Sequence, residues 1–234
     1  MNCAEDDIEG AIQDNTKAIY IETPTNPMMN VSDIAAIAKI AKKHGLLLIV
    51  DNTFPTPINC QPFAFGADIV VHSTTKYMDG HAVQVGGVIV DSGKFDWQNG
   101  KFPALTEPDE SYHGVIYTKQ FGPAAYIAKV RCHLMRDLGA QAAPMNAFLL
   151  NLGLETLALR MERHCSNALA VAKYLEADPN IAWVNYPGLE SSPYYELAKK
   201  YMPHGSCGVV SFGIKGGREA ATLSLIHISE TTRL

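Results

Sequence analysis

The chain has 234 residues, enough for one large domain or one and a half smaller ones. Its mildly acidic balance, 19 Lys and Arg against 24 Asp and Glu, gives no electrostatic footprint for nucleic acid or an anionic membrane. No apolar run approaches the roughly 18 residues of a membrane helix, and Met1-Asn2-Cys3-Ala4-Glu5-Asp6-Asp7 has neither the basic nor the apolar region of a secretion signal.

Lys17 to Glu22 reads as a first strand, after which Pro24, Asn26 and Pro27 break the backbone into a loop. Ser32 is the expected N-cap of a helix with Ile34, Ile37, Ala38 and Ala41 on one face and Lys39, Lys42 and Lys43 outside. His44-Gly45 closes it, Gly45 taking the left-handed C′ position. Leu46 to Val50 is apolar without alternation, the pattern of a strand covered on both faces in a parallel sheet. Residues 17 to 51 therefore predict one βαβ unit with a right-handed crossover. Asp51 falls at the carboxyl end of its second strand, where open α/β sheets bind their ligands. An aspartate there either turns the chain or offers a fixed negative charge to a cationic ligand.

Ile69 to His72 is the next strand, and it runs into Ser73-Thr74-Thr75-Lys76-Tyr77. A lysine after an apolar strand is expected at the edge of a buried sheet. In a partly dry site its amine releases its proton more readily and can attack a carbonyl to form a Schiff base. The neighbouring hydroxyls can donate to phosphate oxygens. An isolated S-x-T-K is more simply a surface lysine at a strand end. Asp51 changes the balance, because it lies 25 residues upstream at another strand end. A pyridinium nitrogen needs such a carboxylate to stay protonated. Together the two elements are the parts of a pyridoxal-phosphate anchor.

Gly80, Gly86 and Gly87 read as tight turns before a strand at Val88–Val90; no helix start follows them, so they are not a phosphate loop. Asp91 to about Pro123 has no clear periodicity. A connection that long is usually functional or disordered, and its aromatics (Phe95, Trp97, Phe102, Tyr112, Tyr117) argue against disorder. From about Asn146 a long helix carries Leu154, Leu157, Met161, Cys165, Ala168, Ala172 and Leu175 as a packing stripe. Trp183 to Lys215 reads as the start of a second, smaller α/β domain. Cys3, Cys60, Cys132, Cys165 and Cys207 form no C-x-x-C pair, which speaks against zinc and disulfides and for a reducing compartment, the cytoplasm. The histidines form no H-E-x-x-H or similar metal set; His72, within a strand, is expected to be a hydrogen-bonded core residue.

Several segments resemble the Cys/Met-metabolism family of pyridoxal-phosphate enzymes, and within it the O-acetylhomoserine sulfhydrylase branch. They are Glu22-Thr23-Pro24-Thr25-Asn26-Pro27, Val50-Asp51-Asn52-Thr53-Phe54, Ser73-x-Thr75-Lys76, Gly86 to Phe95, and Asn185-Tyr186-Pro187-Gly188-Leu189. The resemblance runs to about Ala221 and implies an α/β fold of the aspartate-aminotransferase-like type, fold type I. It implies Lys76 as the Schiff-base lysine, Asp51 as the ring-nitrogen partner, Ser73 and Thr75 as phosphate ligands, and Asn26 near the ring 3-oxygen and the substrate carboxylate. The long segment after Asp91, with Leu105-Thr106-Glu107-Pro108-Asp109, is similar to an insertion of the sulfhydrylase branch.

The implied activity is γ-replacement on O-acetylhomoserine, a small amino-acid substrate, with sulfide or a small thiol, giving homocysteine or methionine plus acetate. A methionine γ-lyase or a cystathionine γ-synthase or γ-lyase would share every residue named. The implied assembly is a homo-oligomer, a tetramer of dimers with shared sites. The resemblance also implies that residues 1–143 are part of a cofactor-binding large domain and 144–222 a connecting helix with part of a C-terminal domain. On that reading the upstream phosphate loop, the stacking aromatic and the downstream carboxylate-binding arginine are absent, Arg218 following too directly on Gly216-Gly217. Residues 223–234 resemble nothing in the family and are expected to be non-native. The chain alone would then be an inactive partial polypeptide.

Overall fold

The computed structural model describes residues 5–223. Helix α1 (Glu5–Gly10) precedes strand β1 (Ala18–Glu22), and α2 (Ile34–Lys43) connects β1 to β2 (Leu47–Asp51). The short α3 (Thr56–Asn59) leads towards β3 (Ile69–Ser73), and β4 (Gly87–Asp91) follows. These strands form one sheet in the order β1-β2-β3-β4. The first three are parallel, and β4 runs antiparallel to β3. The expected βαβ unit is present, with Ala18 opposite Leu47 and Glu22 opposite Asp51.

Helix α2 forms because its apolar residues recur at helical spacing, burying Ile34, Ile37, Ile40 and Ala41. Its N-cap is Asp33 rather than Ser32. The Asp33 carboxylate accepts the Ala36 amide at 2.9 Å, while the Ser32 amide is turned back onto the Thr23 hydroxyl. At the other end Gly45 has φ of 60°, its amide bonds to the Lys42 carbonyl, and the Leu46 amide bonds to Ala41. This pair of bonds is a Schellman closure, which requires the left-handed conformation that glycine adopts without strain.

Side-chain alternation divides the sheet between two cores. Leu48, Val50 and Val70 pack with α2 on one face. Leu47 and Ile69, joined by Ile49 and Val71, pack on the other against Trp97, Leu105, Tyr117 and Ala125. The segment without periodicity is therefore ordered, as its aromatics suggested. It contains α4 (Pro103–Thr106) and α5 (Tyr117–Phe121), and is followed by α6 (Ala125–Lys129), a π-helical turn at Val130–Met135 and α7 (Arg136–Leu138). Trp97 stacks on Tyr126 at 5.2 Å and meets Phe95 and Phe102 edge-on. Lys129 bonds to Asp109 at 2.7 Å, and Lys129 first, then Ser111, hold the Asp109 carboxyl well below the usual carboxylate range.

The long helix expected from Asn146 is two helices, α8 (Pro144–Glu155) and α9 (Leu157–Ala177). Thr156 interrupts them with φ of −106° and ψ of 3°, its hydroxyl directed back to the Gly153 carbonyl. Such side-chain bonding competes with the helical ladder. The stripe Leu157, Met161, Cys165, Ala168 and Ala172 is buried as expected, whereas Leu154 lies at the surface. Strands β5 (Ile181–Asn185) and β6 (Ser211–Ile214) pair antiparallel beside α9. Between them α10 (Tyr195–Tyr201) returns to the first core through Ala198 and Tyr201. Of residues 223–234, only residue 223 lies within the described part.

Asp33 ties α2 to α10. It accepts hydrogen bonds from the Tyr201 phenol and from Lys200 at 3.0 Å as well as from its own helix. Burial works against its charge, but the bonds from Tyr201, the Ala36 amide and Lys200 outweigh it, so its pKa lies below the ordinary aspartate value. We expect Asp33→Ala to lower the unfolding free energy by about 1 kcal/mol or more in urea titrations, and Asp33→Asn, which can still cap, to cost less. Because the folded pKa is depressed, the carboxylate's contribution is complete above the unfolded pKa and lost as pH falls through the folded value. The wild-type advantage over Asp33→Ala should accordingly shrink at acid pH.

Candidate active site

Asp51 is the last residue of β2, at the carboxyl edge of the parallel strands. One carboxylate oxygen accepts the Thr53 amide at 3.0 Å and the other accepts the Tyr20 phenol at 3.2 Å. Asp51 therefore does turn the chain, and it also retains lone pairs for a cationic partner, since a carboxylate offers about four acceptor sites. The strand register brings Glu22 directly opposite. Burial raises the Glu22 carboxyl; the Asn26 amide, bound at 3.3 Å, opposes this, and the Asp51 charge adds to it. Tyr20 is raised by burial and then by the charge of Asp51.

Ser73 ends β3, on the same face as Ile69 and Val71 and therefore as Asp51. Asp51 pairs with Val71, two residues before Ser73, so the strand end carries Ser73 roughly 7 Å beyond Asp51's level. A hydrogen bond closes the gap: the Ser73 amide donates to the Thr53 hydroxyl at 2.8 Å. The Ser73 hydroxyl has no partner among the described residues and can donate to an anion. Thr75 differs. Its hydroxyl accepts the Gly86 amide at 3.1 Å and donates to the Gly86 carbonyl at 3.3 Å. To donate to a phosphate it must give up the second of these bonds.

Lys76 sits in the turn that follows, its carbonyl accepting the Gly80 amide at 2.9 Å. Its side chain is exposed, which corrects the expected partly dry setting. The turn carries it past the sheet, and the apolar cover lies instead over Tyr77 and Met78, which pack on Leu157, Met161 and Cys165. Asn26 is also exposed, in the loop after β1, and is tied to the strand end by its amide bond to Glu22. Asp51, Ser73, Thr75 and Lys76 thus share the edge formed by β2 and β3, and Asn26 occupies the adjacent end of β1. His72 is the buried, hydrogen-bonded residue expected: burial pushes its pKa below the usual histidine value, a hydrogen bond to the Asn52 backbone and the Asp51 charge oppose this, and its Nδ1 alone has no partner among the described residues.

Sequence reasoning did not single out Thr53 or Tyr20. Thr53 had a readable signal, a hydroxyl two residues after the strand-end aspartate. Tyr20 had one only given the register, which places it on the face of Glu22 and Asp51. Among the described residues no group of three or more His, Cys, Asp or Glu could hold a metal ion. The donor set fits pyridoxal phosphate: a carboxylate with spare acceptor sites for a ring cation, an uncommitted hydroxyl for phosphate, and a lysine amine for the aldehyde.

The profile of the family described as Cys/Met metabolism PLP-dependent enzyme matches residues 2–232, a span that includes most of the segment 223–234. The chain is 53% identical over 213 residues to a homocysteine/cysteine synthase of Kluyveromyces lactis, covering 90% of this chain and 48% of that protein. It is 49% identical to an O-acetyl-L-homoserine sulfhydrylase of Leptospira meyeri, covering 90% of this chain and 50% of that one. A crystal structure named for an O-acetylhomoserine (thiol)-lyase of Campylobacter jejuni superposes with a TM-score of 0.87 at 42% identity, over 91% of this chain and 53% of that one. It contains N'-pyridoxyl-lysine-5'-monophosphate, a lysine joined to the cofactor. The chain spans about half the length of the relatives it matches.

The two hydroxyls should separate in stability measurements on the cofactor-free chain. Thr75→Val removes both bonds to Gly86 and should cost about 1 kcal/mol, read by urea unfolding. Ser73→Ala, with no hydroxyl bond to lose, should leave the midpoint unchanged. An unchanged midpoint for Thr75→Val would show that the Thr75–Gly86 bonds carry no weight.

Proposed function

The chain belongs to the Cys/Met-metabolism family of pyridoxal-phosphate-dependent enzymes, and on that premise we propose that the protein carrying it exchanges the acetoxy group of O-acetylhomoserine for sulfide. The products are homocysteine and acetate: the Cγ–O bond breaks and a Cγ–S bond forms. The names of the relatives support the choice of substrate within the family. The observation that carries the chemistry is the adjacency of Asp51 and the Lys76 turn on neighbouring parallel strands, stitched together by the Thr53–Ser73 bond.

Asp51 would hold the ring nitrogen, Ser73 and, after exchange, Thr75 the phosphate, and Lys76 the aldehyde carbon. Asn26, at the neighbouring loop, would face the ring oxygen and the substrate carboxylate. When bound, pyridoxal phosphate supplies an electron sink for the negative charge that develops at the substrate Cα. Lys76 would carry the α-proton on its Nζ, a role for which an exposed amine at the edge of the site is suited. Asp51 keeps its charge in place without moving, because Thr53 and Tyr20 fix both oxygens. That preorganisation is where electrostatic catalysis gains most.

The same reading places the protein in the cytoplasm as a homo-oligomer. The first is supported by its unbridged Cys60, Cys132, Cys165 and Cys207 and by the absence, among the described residues, of a helix long and apolar enough to cross a membrane. The second is supported by apolar side chains left open on α8, where Met145 is 64% and Phe148 57% exposed.

Borohydride reduction in the presence of pyridoxal phosphate should fix the cofactor to a single peptide containing Lys76, identified by mass spectrometry. Attachment at another lysine would falsify the assignment. In the active enzyme, Asp51→Asn should still bind cofactor while turnover falls roughly a thousandfold, the cost of losing one preorganised charged contact to the ring. Near-normal turnover in that variant would remove Asp51 from the ring nitrogen.

A further inference from the structure

The turn that carries Lys76 is gripped from behind by a side chain of α9. The Arg160 guanidinium donates from Nη1 to the Tyr77 carbonyl at 2.7 Å and from Nη2 to the Met78 carbonyl at 3.4 Å. Nη2 also donates to the Gly153 carbonyl on α8 at 2.6 Å, and Nε donates to the Thr156 hydroxyl at 3.0 Å. Within the turn, backbone amides take the Ser73, Thr74 and Lys76 carbonyls; those of Tyr77 and Met78 are left to Arg160. Burial lowers the Arg160 pKa and the nearby Asp79 charge raises it.

Two glycines make the grip possible. A Cβ at Gly153 would lie 2.3 Å from the Asp79 carbonyl oxygen, so only glycine lets α8 approach the turn this closely. Gly80 has φ of 70°, and a Cβ there would lie 2.2 Å from Nη1 of Arg160. On the opposite side the turn is fixed by Thr75 to Gly86, and by the buried Asp79 carboxylate, which accepts the His81 and Val83 amides.

We propose that Arg160 is a positioning residue that sets the reach of Lys76 by locking the Tyr77 and Met78 peptides against the α8–α9 junction. It rests on the reading of Lys76 as the cofactor lysine. The Tyr77 carbonyl belongs to the peptide that joins Tyr77 to Met78, one residue beyond Lys76, so its displacement is passed through Tyr77 to the Lys76 Cα and the amine. A planar cation with five donors matches three converging carbonyls in a way that a lysine ammonium does not, and charge-assisted bonds of this kind are stronger than neutral ones. Arg160 does not touch the strand ends that carry Asp51 and Ser73, so its effect should fall on attachment rather than on the rest of the pocket.

The test compares two ligands on wild type and Arg160→Met. Pyridoxal phosphate reports attachment to Lys76, trapped by borohydride over time. 4-Deoxypyridoxine phosphate lacks the aldehyde and reports the ring and phosphate contacts alone. We expect attachment to slow by about tenfold to a hundredfold while analogue affinity stays within about threefold, since displacement of a reacting group by about 1 Å costs that much in rate. Hydrogen exchange should rise at the Asp79 and Gly80 amides and stay unchanged in β1 to β3. Gly153→Ala, which pushes α8 off the turn, should reproduce the split with Arg160 intact. Should Arg160→Met fail to fold, Arg160→Lys must show the same split in milder form. Equal losses for both ligands, or no loss, would overturn the positioning role. If wild type does not attach the cofactor at Lys76, the functional reading fails, and exchange at Asp79 and Gly80 in the variant still decides whether Arg160 clamps the turn.

Discussion

The arrangement depends on the parallel pairing of β2 and β3. Parallel neighbours end at the same edge of a sheet, so the residues at their carboxyl ends share one crevice. The register sets Asp51 opposite Val71, and alternation then puts Asp51 and Ser73 on the same face. A slip of one residue would send Ser73 to the opposite face. The Thr53–Ser73 hydrogen bond, at 2.8 Å, opposes that slip at the point where the ladder stops.

The pairing holds because both faces of the sheet are covered by different means. Helix α2 and α10 cover one, with Tyr201 reaching Asp33 to tie the far part of the chain to the first crossover. The aromatic segment covers the other, where Trp97, Tyr117 and Leu105 are buried against Leu47 and Ile69. Aromatic side chains bury large areas with few rotatable bonds, so an irregular backbone can still form a firm layer. The Asp109–Lys129 pair anchors that segment to α6, the helix that follows it. What looks like a loop in the sequence is thus half of the sheet's packing.

Polar groups near the site divide into those already committed and those open to a ligand. Thr75 spends its hydroxyl on Gly86, and Thr53 spends its own on Ser73. The Ser73 hydroxyl and the remaining lone pairs of Asp51 are left over. Both residues are half-buried at one strand edge, so a polar ligand can engage them there without breaking a bond within the protein.

The sequence alone determined the βαβ unit, the position of Asp51 at a strand end, the Ser73-to-Lys76 turn and the glycine closure at Gly45, because each is encoded in a few neighbouring residues with a strong local preference. It misplaced the cap by one residue, since Ser32 and Asp33 are both good caps and only the Thr23 and Tyr201 contacts decide between them. It merged α8 and α9, since their apolar periodicity runs on through Thr156 and the break arises from hydroxyl bonding. Tertiary structure alone decided that β4 runs antiparallel, that Tyr20 meets Asp51, that Lys76 stands exposed and that Arg160 reaches across 82 residues to Met78. Each of those facts joins residues distant in the chain, and no local propensity carries information about a partner that only folding brings near.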